Sequence, residues 1–340
     1  MSFSATLNSH SDTMQLRAAL RLGLKTLNEN QVPSSQLAAE LLLMHTLDCD
    51  RSYLHTHPEV ELSNHDVERY FKLLVERSTG KPTQYITGHQ EFWGLDFLVT
   101  PDVLIPRPET EHVVEAVLEL SRGTSAAVAS SPDARELLGA HRDTTLRIID
   151  VGTGSGCIAL ALASELPRAT IFATDISRPA LEVARRNAER LDMEGKVRLV
   201  QTDLLDCFLP EPPPGAAPAE ISMLGESEDQ PTVAGSGSIF DFVVSNPPYV
   251  GEDQIDWVQR EVREFEPRLA WGGSSEGEAI YRRLIPQAAA ALRPGGYLVV
   301  EIGYSMGESV PLLLGREWSD VTVRPDLAGI PRVVIGRKRL

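Results

Sequence analysis

The sequence predicts an α/β protein in which a doubly wound, mostly parallel sheet follows a small helical domain. Three observations carry that prediction. From Leu146 onward, short runs of β-forming apolar residues alternate with helical patterns, as in a parallel sheet whose strands are joined by crossover helices. A glycine-rich turn, Gly152-Thr153-Gly154-Ser155-Gly156, joins the first such run to its helix. Finally, Phe240-Asp241-Phe242-Val243-Val244-Ser245 runs straight into Asn246-Pro247-Pro248-Tyr249. The run reads as a strand buried on both faces, and it must stop where two prolines cannot donate ladder hydrogen bonds.

Taken in order, three helices come first. Met14 to Leu27 spaces Leu16, Ala19, Leu20, Leu24 and Leu27 along one face, and Ser35 to Leu47 repeats the spacing more densely. Asp66 to Arg77 adds Val67, Tyr70, Phe71 and Leu74. Residues 1–82 are therefore read as a helical domain for partner recognition. Residues 83–106 follow as a linker, in which Glu91 to Val99 forms a hairpin or extended connector turning at Gly94. Pro106 and Pro108 keep the chain extended, and Thr110 is placed to cap a helix running to about Ser121. The Ala-, Ser- and Pro-rich stretch from Gly123 to Asp143 reads mostly as loop.

Residues 107–340 carry the sheet. Strands are expected over 146–150, 169–174, 197–201, 239–245 and 297–302, with helices over 157–166, 180–191 and 279–292. A terminal hairpin pairs 321–324 with 332–336. Pro210 to Gly237 holds no Lys or Arg and few bulky apolar residues. Such a segment cannot bury enough surface to offset its ordering entropy, so it reads as a disordered insertion.

Composition excludes several classes. A net charge of −16 over 340 residues disfavours non-specific nucleic-acid binding. Cys49, Cys157 and Cys207 are scattered and form no C-x-x-C, so neither a zinc site nor a disulfide framework is expected. His55 and His57 lack a third ligand at metal-binding spacing. With no leader-like segment and no apolar run of about 18 residues, the expectation is a cytoplasmic protein with no membrane partner.

The candidate site joins two strand ends. Around Gly152, Gly154 and Gly156 the backbone can approach a ligand because no Cβ intrudes. The next strand ends near Asp175, placed to accept from ribose hydroxyls, and the one after it ends near Asp203 and Leu204, where an adenine edge could be read. Dinucleotides and S-adenosylmethionine both carry ribose, so Asp175 does not separate them. Asp150 does so in part: a carboxylate there suits a cationic amino-acid moiety and would sit badly against a pyrophosphate. Asn246-Pro247-Pro248-Tyr249 offers the Asn246 Oδ1 and the Pro247 carbonyl as acceptors for a planar –NH2 group, with Tyr249 as its cover. Such a site has no job in hydride transfer.

Together these residues resemble the HemK/PrmC family, the protein-(glutamine-N5) methyltransferases of peptide chain release factors. The matching pieces are Phe92 to Leu95 with Phe97, Ile105 to Glu111, Asp150 to Gly156, Asn246 to Tyr249, Phe265 to Arg268, and Leu327 to Arg332. The resemblance implies a helical N-terminal domain, a β-hairpin link and a seven-stranded, Rossmann-like S-adenosylmethionine-dependent methyltransferase domain. It further implies that Asn246, Pro247, Pro248 and Tyr249 hold the substrate glutamine. Gly152, Thr153, Gly154, Ser155, Gly156, Asp175, Leu204 and Asn246 would line the cofactor site, although relatives often carry an aromatic at Leu204. Asn246, Pro247 and Tyr249 are then the expected catalytic residues, acting by orientation with no metal. The implied partner is a release factor, with no nucleic acid, and the chain is expected to be a monomer.

Two rivals share the chemistry. A ribosomal-protein glutamine methyltransferase would usually show Ser-Pro where this chain has Pro108-Glu109-Thr110. A DNA amino-methyltransferase would need a basic, aromatic recognition face that the sequence does not display. A non-enzymatic scaffold would have no use for an intact glycine loop beside Asn246.

Overall fold

The structure, a computed structural model, describes residues 14–130, 145–209, 220–222, 239–272 and 277–340. It divides into two compact units, the first closing at Gly88 and the second opening at His89. Among the described residues no helix is long and apolar enough to cross a membrane.

The first unit is helical. Helices α1 (Leu16–Glu29), α2 (Ser35–Leu47), α3 (Arg51–Thr56) and α4 (Asn64–Ser78) enclose Leu16, Leu27, Leu42, Leu43, Tyr70 and Leu74. Two short strands, β1 (Met14–Gln15) and β2 (Glu61–Leu62), pair antiparallel. The periodicity that predicts α1, α2 and α4 is the stripe that is buried. Gly23 matters because a Cβ there would collide with the Tyr70 ring, whose hydroxyl donates to the Ala39 carbonyl at 3.2 Å. Ser63 caps α4 by accepting from the Asp66 amide at 3.1 Å. A fifth helix, α5 (Thr83–Thr87), falls where the sequence suggests linker. Pro82 precedes it and Gly88 ends it in the left-handed conformation, at φ 81°.

The second unit opens on the expected hairpin, β3 (His89–Phe92) and β4 (Leu95–Leu98). Its two turn residues, Trp93 and Gly94, both have positive φ, at 56° and 71°, as a two-residue turn matched to strand twist requires. Glu91 and Glu111 accept from the Gly94 and Trp93 amides at 2.5 and 2.9 Å, which holds Trp93 in its left-handed conformation.

Helix α6 runs from Glu111 to Ser130, past the predicted end near Ser121. Residues 123–130 are thus helical, while the rest of the stretch predicted as loop lies outside the described residues. Thr110 does not cap α6. It ends a 3₁₀ turn, Pro108–Thr110, and its side chain is committed elsewhere, as shown below.

The sheet comprises β5 (Arg147–Val151), β6 (Thr170–Asp175), β7 (Val197–Gln201), β8 (Glu220–Ser222), β9 (Phe240–Ser245), β10 (Leu292–Glu301), β11 (Trp318–Pro325) and β12 (Pro331–Lys338), in the order β11-β12-β10-β9-β5-β6-β7-β8. The five central strands, from β10 to β7, are parallel. The terminal hairpin adds β12 and β11 antiparallel at one edge. These make the seven expected strands. The three-residue β8 pairs antiparallel with β7 at the other edge. It falls within 210–237, which the sequence suggests is a disordered insertion; residues 210–219 and 223–237 of that stretch lie outside the described residues.

Alternation along β5 sends Ile148 to one face of the sheet and Ile149 and Val151 to the other. On the first face lie α6, α7 (Cys157–Glu165) and α8 (Arg178–Arg190). On the second lie α11 (Ala279–Ala291) and an edge-to-face cluster of Phe172, Phe208 and Phe240, with ring centroids 5.2–5.7 Å apart. Between them come α9 (Arg260–Phe265) and α10 (Arg268–Trp271) in the crossover, and α12 (Ser309–Leu313) follows β10. Every residue of β9 is buried, as its continuous apolar run predicts. Strand order reverses between β5 and β9, and a crevice at such a switch point is where open α/β sheets bind ligands.

Candidate active site

A cavity of about 230 Å³ opens at the C-terminal ends of β5, β6, β7 and β9. Its walls include Gly152, Thr153, Gly154, Ser155 and Asp175 from the glycine loop and the end of β6. Leu204, Asn246 and Pro248 come from the ends of β7 and β9. Residues 102–107 and parts of α10 and α11 close the remaining sides.

The glycine loop is built from backbone. Gly152 and Gly154 have φ of 73° and 55°, and open space lies where a Cβ would be. Both the Gly152 and Thr153 amides donate to the Thr174 carbonyl at 2.8 Å. Asp175 accepts from the Gly154 amide at 2.9 Å and from the Ser177 amide at 2.8 Å. Its carboxylate therefore holds the loop's shape as well as facing the cavity, with lone pairs left over for a ligand hydroxyl. Burial raises its pKa, against the opposing pull of those amides.

Gly156 is not part of the wall. It sits at φ 83° where a Cβ would lie 3.2 Å from the Ala184 Cβ, so its bareness serves the packing of α7 against α8. Asp150 is also behind the wall. It is 1 % exposed, accepts from the Thr153 hydroxyl at 2.6 Å, and leaves Oδ1 without a partner. Burial pushes its pKa up to about 7. The expectation that Asp150 meets a ligand's cation directly gives way to a carboxyl that steadies Thr153. Asp203 lines the cavity and pairs with Arg283 of α11 at 2.7 Å. Leu204 holds φ 49°, fixed by the bond from the Thr174 hydroxyl to its carbonyl at 3.2 Å.

At the end of β9 the residues divide. Asn246 and Pro248 face the cavity, whereas Pro247 is buried and, like Tyr249, absent from its walls. The expected cover over a bound –NH2 is therefore not where the sequence puts it. The Tyr249 hydroxyl donates inward to Glu301 Oε1 at 3.3 Å, and its ring lies beside Gly303. Burial and the Glu301 carboxylate raise the Tyr249 pKa. Asn246 Nδ2 donates to Thr110 Oγ1 at 2.9 Å, and Thr110 donates to Glu301 Oε2 at 2.6 Å. Glu301, at the end of β10, is 2 % exposed, and burial pushes its carboxyl up to about 7.

Four residues hold this site in roles that sequence reasoning did not assign to them. Thr110 and Glu301 are two. Asn187 is the third: fully buried in α8, it donates to the Ser155 and Leu98 carbonyls at 2.9 and 3.0 Å and accepts from the Leu98 amide at 2.7 Å. It thereby ties the hairpin to the glycine loop. A single amide side chain on the buried stripe formed by Ala180, Val183, Ala184 and Ala188 was its signal. Glu266 is the fourth, accepting from the Ile105 amide at 3.1 Å and from Arg107 at 2.5 Å. It locks residues 105–107, which line the cavity in part, to the segment before α10. Among the described residues, no group of three or more His, Cys, Asp or Glu is arranged to hold a metal ion.

The cavity suits a ligand that carries a ribose. Bare glycine backbone, the Asp175 carboxylate and the apolar Leu204 side chain line one part of it, and the Asn246–Pro248 strand end lines another.

A PrmC N-terminal domain model matches residues 18–88, and a methyltransferase small domain model matches residues 133–210. A release factor glutamine methyltransferase from Koribacter versatilis is 46% identical over 325 residues, covering 96% of this chain and 99% of that protein. Another release factor glutamine methyltransferase, from Moorella thermoacetica, is 39% identical over 329 residues, covering 96% of this chain and 99% of that protein. A solved structure of a release-factor-specific protein-(glutamine-N5) methyltransferase from Alicyclobacillus acidocaldarius is 25% identical, covers 72% of this chain and 100% of its own, and has a TM-score of 0.33. Matched at such identity along nearly its whole length, the chain belongs to the release factor glutamine methyltransferase family.

Proposed function

We propose that this chain transfers a methyl group from S-adenosylmethionine to the side-chain amide nitrogen of the glutamine in the Gly-Gly-Gln motif of peptide chain release factors, in the cytoplasm. One observation carries the reading. The glycine loop and, from the β9 strand end, Asn246 and Pro248 share a single cavity at the sheet's switch point.

S-adenosylmethionine supplies an electrophilic methyl group when bound. Residues Gly152 to Ser155 hold it by backbone approach, Asp175 accepts from its ribose, and Leu204 packs against its base. The rest is done by the chain's own residues on the glutamine. A carboxamide nitrogen is a poor nucleophile because its lone pair is delocalised into the carbonyl. Asn246 Oδ1 accepts one of its N–H bonds. Pro247 and Pro248 have no N–H, so the neighbouring backbone presents acceptors only, and a carbonyl there takes the second. Two acceptors on one nitrogen fix its direction and favour its partial pyramidalisation. The N–C bond forms as the methyl–sulfur bond breaks, and the surplus N–H proton leaves to solvent after transfer, so catalysis is orientation plus electrostatic preorganisation, with no covalent intermediate on the protein. Tyr249 supports the strand end from behind through Glu301.

The test is mass spectrometry of a release factor incubated with the chain and labelled cofactor. One added methyl on the glutamine of the Gly-Gly-Gln loop is expected, with none on duplex DNA. Label on DNA and none on the release factor would reverse the assignment.

A further inference from the structure

An Asn side chain presents two ends of nearly equal shape and opposite chemistry. To accept from a substrate N–H, Asn246 must keep Oδ1 toward the cavity and hold Nδ2 elsewhere. We propose that Thr110 and Glu301 act as positioning residues that set this orientation, with the Glu301 carboxylate claiming the one proton of the Thr110 hydroxyl. The inference rests on the substrate reading above and deepens it.

The hydrogen-bond count leaves one solution. Both Glu301 carboxylate oxygens accept, Oε2 from Thr110 at 2.6 Å and Oε1 from Tyr249 at 3.3 Å. Its backbone carbonyl accepts from the Tyr281 hydroxyl at 2.7 Å, which pins the end of β10. With its proton spent, Thr110 has only lone pairs to offer Asn246, and only Nδ2 can bond to them, at 2.9 Å. A flipped amide would set Oδ1 against those lone pairs in a part-buried site, losing the bond and pairing two acceptors. Register places the partners together, because Val300 on β10 pairs with Ser245 on β9.

Protonation of Glu301 reverses the relay. A carboxylic acid can donate to Thr110, which then donates onward and recruits Oδ1, turning Nδ2 into the cavity. The groups bearing on Glu301 are Glu109 from the 3₁₀ turn, Tyr249 after β9, Tyr281 on α11, Cys157 on α7 and Arg332 on β12. Burial and Glu109 raise its pKa, while Thr110, Tyr249 and Arg332 lower it. Methyl transfer should therefore fall as pH drops through about 7. The E301Q side chain keeps an acceptor for Thr110 and does not titrate, so it should flatten that part of the profile. Asp150 titrates in both proteins and cancels in the comparison.

The test uses the full chain, a purified release factor and labelled S-adenosylmethionine. T110V should lower kcat about 100-fold, with cofactor affinity by calorimetry held within about threefold, because an orienting hydrogen bond is lost without disturbing the glycine loop. T110S, which restores the hydroxyl, should recover kcat to within about fivefold of wild type. Nitrogen-15 NMR gives a reading that needs no substrate: one Asn246 Nδ2 proton should exchange slowly in the wild type and rapidly in T110V. The proposal is overturned by a T110V kcat within about threefold of wild type, by T110S losing as much as T110V, by an E301Q pH profile matching wild type, or by unchanged Asn246 exchange in T110V. If the wild-type chain leaves the release factor unmethylated, it is the substrate assignment that fails, and the NMR exchange still decides the relay.

Discussion

Two neighbouring strand ends build this site by opposite means. After β5, the glycine loop is held by backbone: positive φ at Gly152 and Gly154, two amides on the Thr174 carbonyl, and one on Asp175. After β9, the working group is a side chain, and its direction depends on Thr110, 136 residues away in sequence, and through it on Glu301. The first end should tolerate changes far off and fail on local ones. The second should fail on substitutions at residues far away in the sequence.

The largest effect expected on this contrast comes from removing the β9 side chain itself. Asn246→Ala should cut turnover on the release factor by about 10³-fold, the scale of losing a preorganised acceptor at the reacting group. Calorimetry should show cofactor binding weakened only a fewfold. A turnover near wild type would end the case for Asn246 as the orienting residue.

Asp175→Ala attacks the loop at its anchor. The Gly154 amide of the loop loses a charged acceptor, and such a bond contributes about 1.5–3 kcal/mol, so cofactor affinity should fall by about 10- to 100-fold. The release factor KM should barely move. If KM moved instead, the two ends would not be independent.

Gly154→Ala is milder. Its φ of 55° costs an L-residue about 1–2 kcal/mol, and no neighbour obstructs the new methyl. Cofactor affinity should drop about tenfold, measurable by equilibrium binding. A loss confined to kcat would contradict the loop's assigned role.

Glu301 adds a prediction on stability with a definite sign. Its folded pKa of about 7 lies above the ordinary glutamate value, so the folded chain binds a proton that the unfolded chain has released. The stabilisation is fully present below about pH 4.3 and is lost as pH rises to about 7, at no more than about 1.4 kcal/mol per unit. Denaturant unfolding should show E301Q gaining on wild type across that window. The smallest change belongs to the cavity rim, where Arg283→Ala breaks a half-exposed ion pair with Asp203 and should alter stability by under about 1 kcal/mol.

Each resemblance motif that has no chemistry of its own proves to be a brace. Glu266 ties Ile105 and Arg107 in place. Arg332 secures Asp326 at 2.8 Å, and Asp326 in turn accepts from the Ala328 and Ile330 amides in the hairpin loop. Trp93 donates to Glu165 of α7 at 3.0 Å, joining the hairpin to the sheet's helical layer. These segments are recognisable in the sequence as fragments, but the partners of Trp93, Arg107 and Ile105 lie 72, 159 and 161 residues away, and no local pattern names them.

What the sequence by itself determined was set by neighbours along the chain. Helical and strand periodicity, the φ freedom of glycine and the missing N–H of proline specified the order of elements, the loop after β5 and the stop after β9. The tertiary structure alone decided which of these residues face the cavity. It turned Gly156, Pro247 and Tyr249 toward the interior or the protein's own helices, and gave the Thr110 hydroxyl to Glu301 rather than to a helix cap. The physical reason is that orientation and protonation depend on desolvation and on which donor meets which acceptor. Those are properties of packing, fixed only when distant parts of the chain share one space.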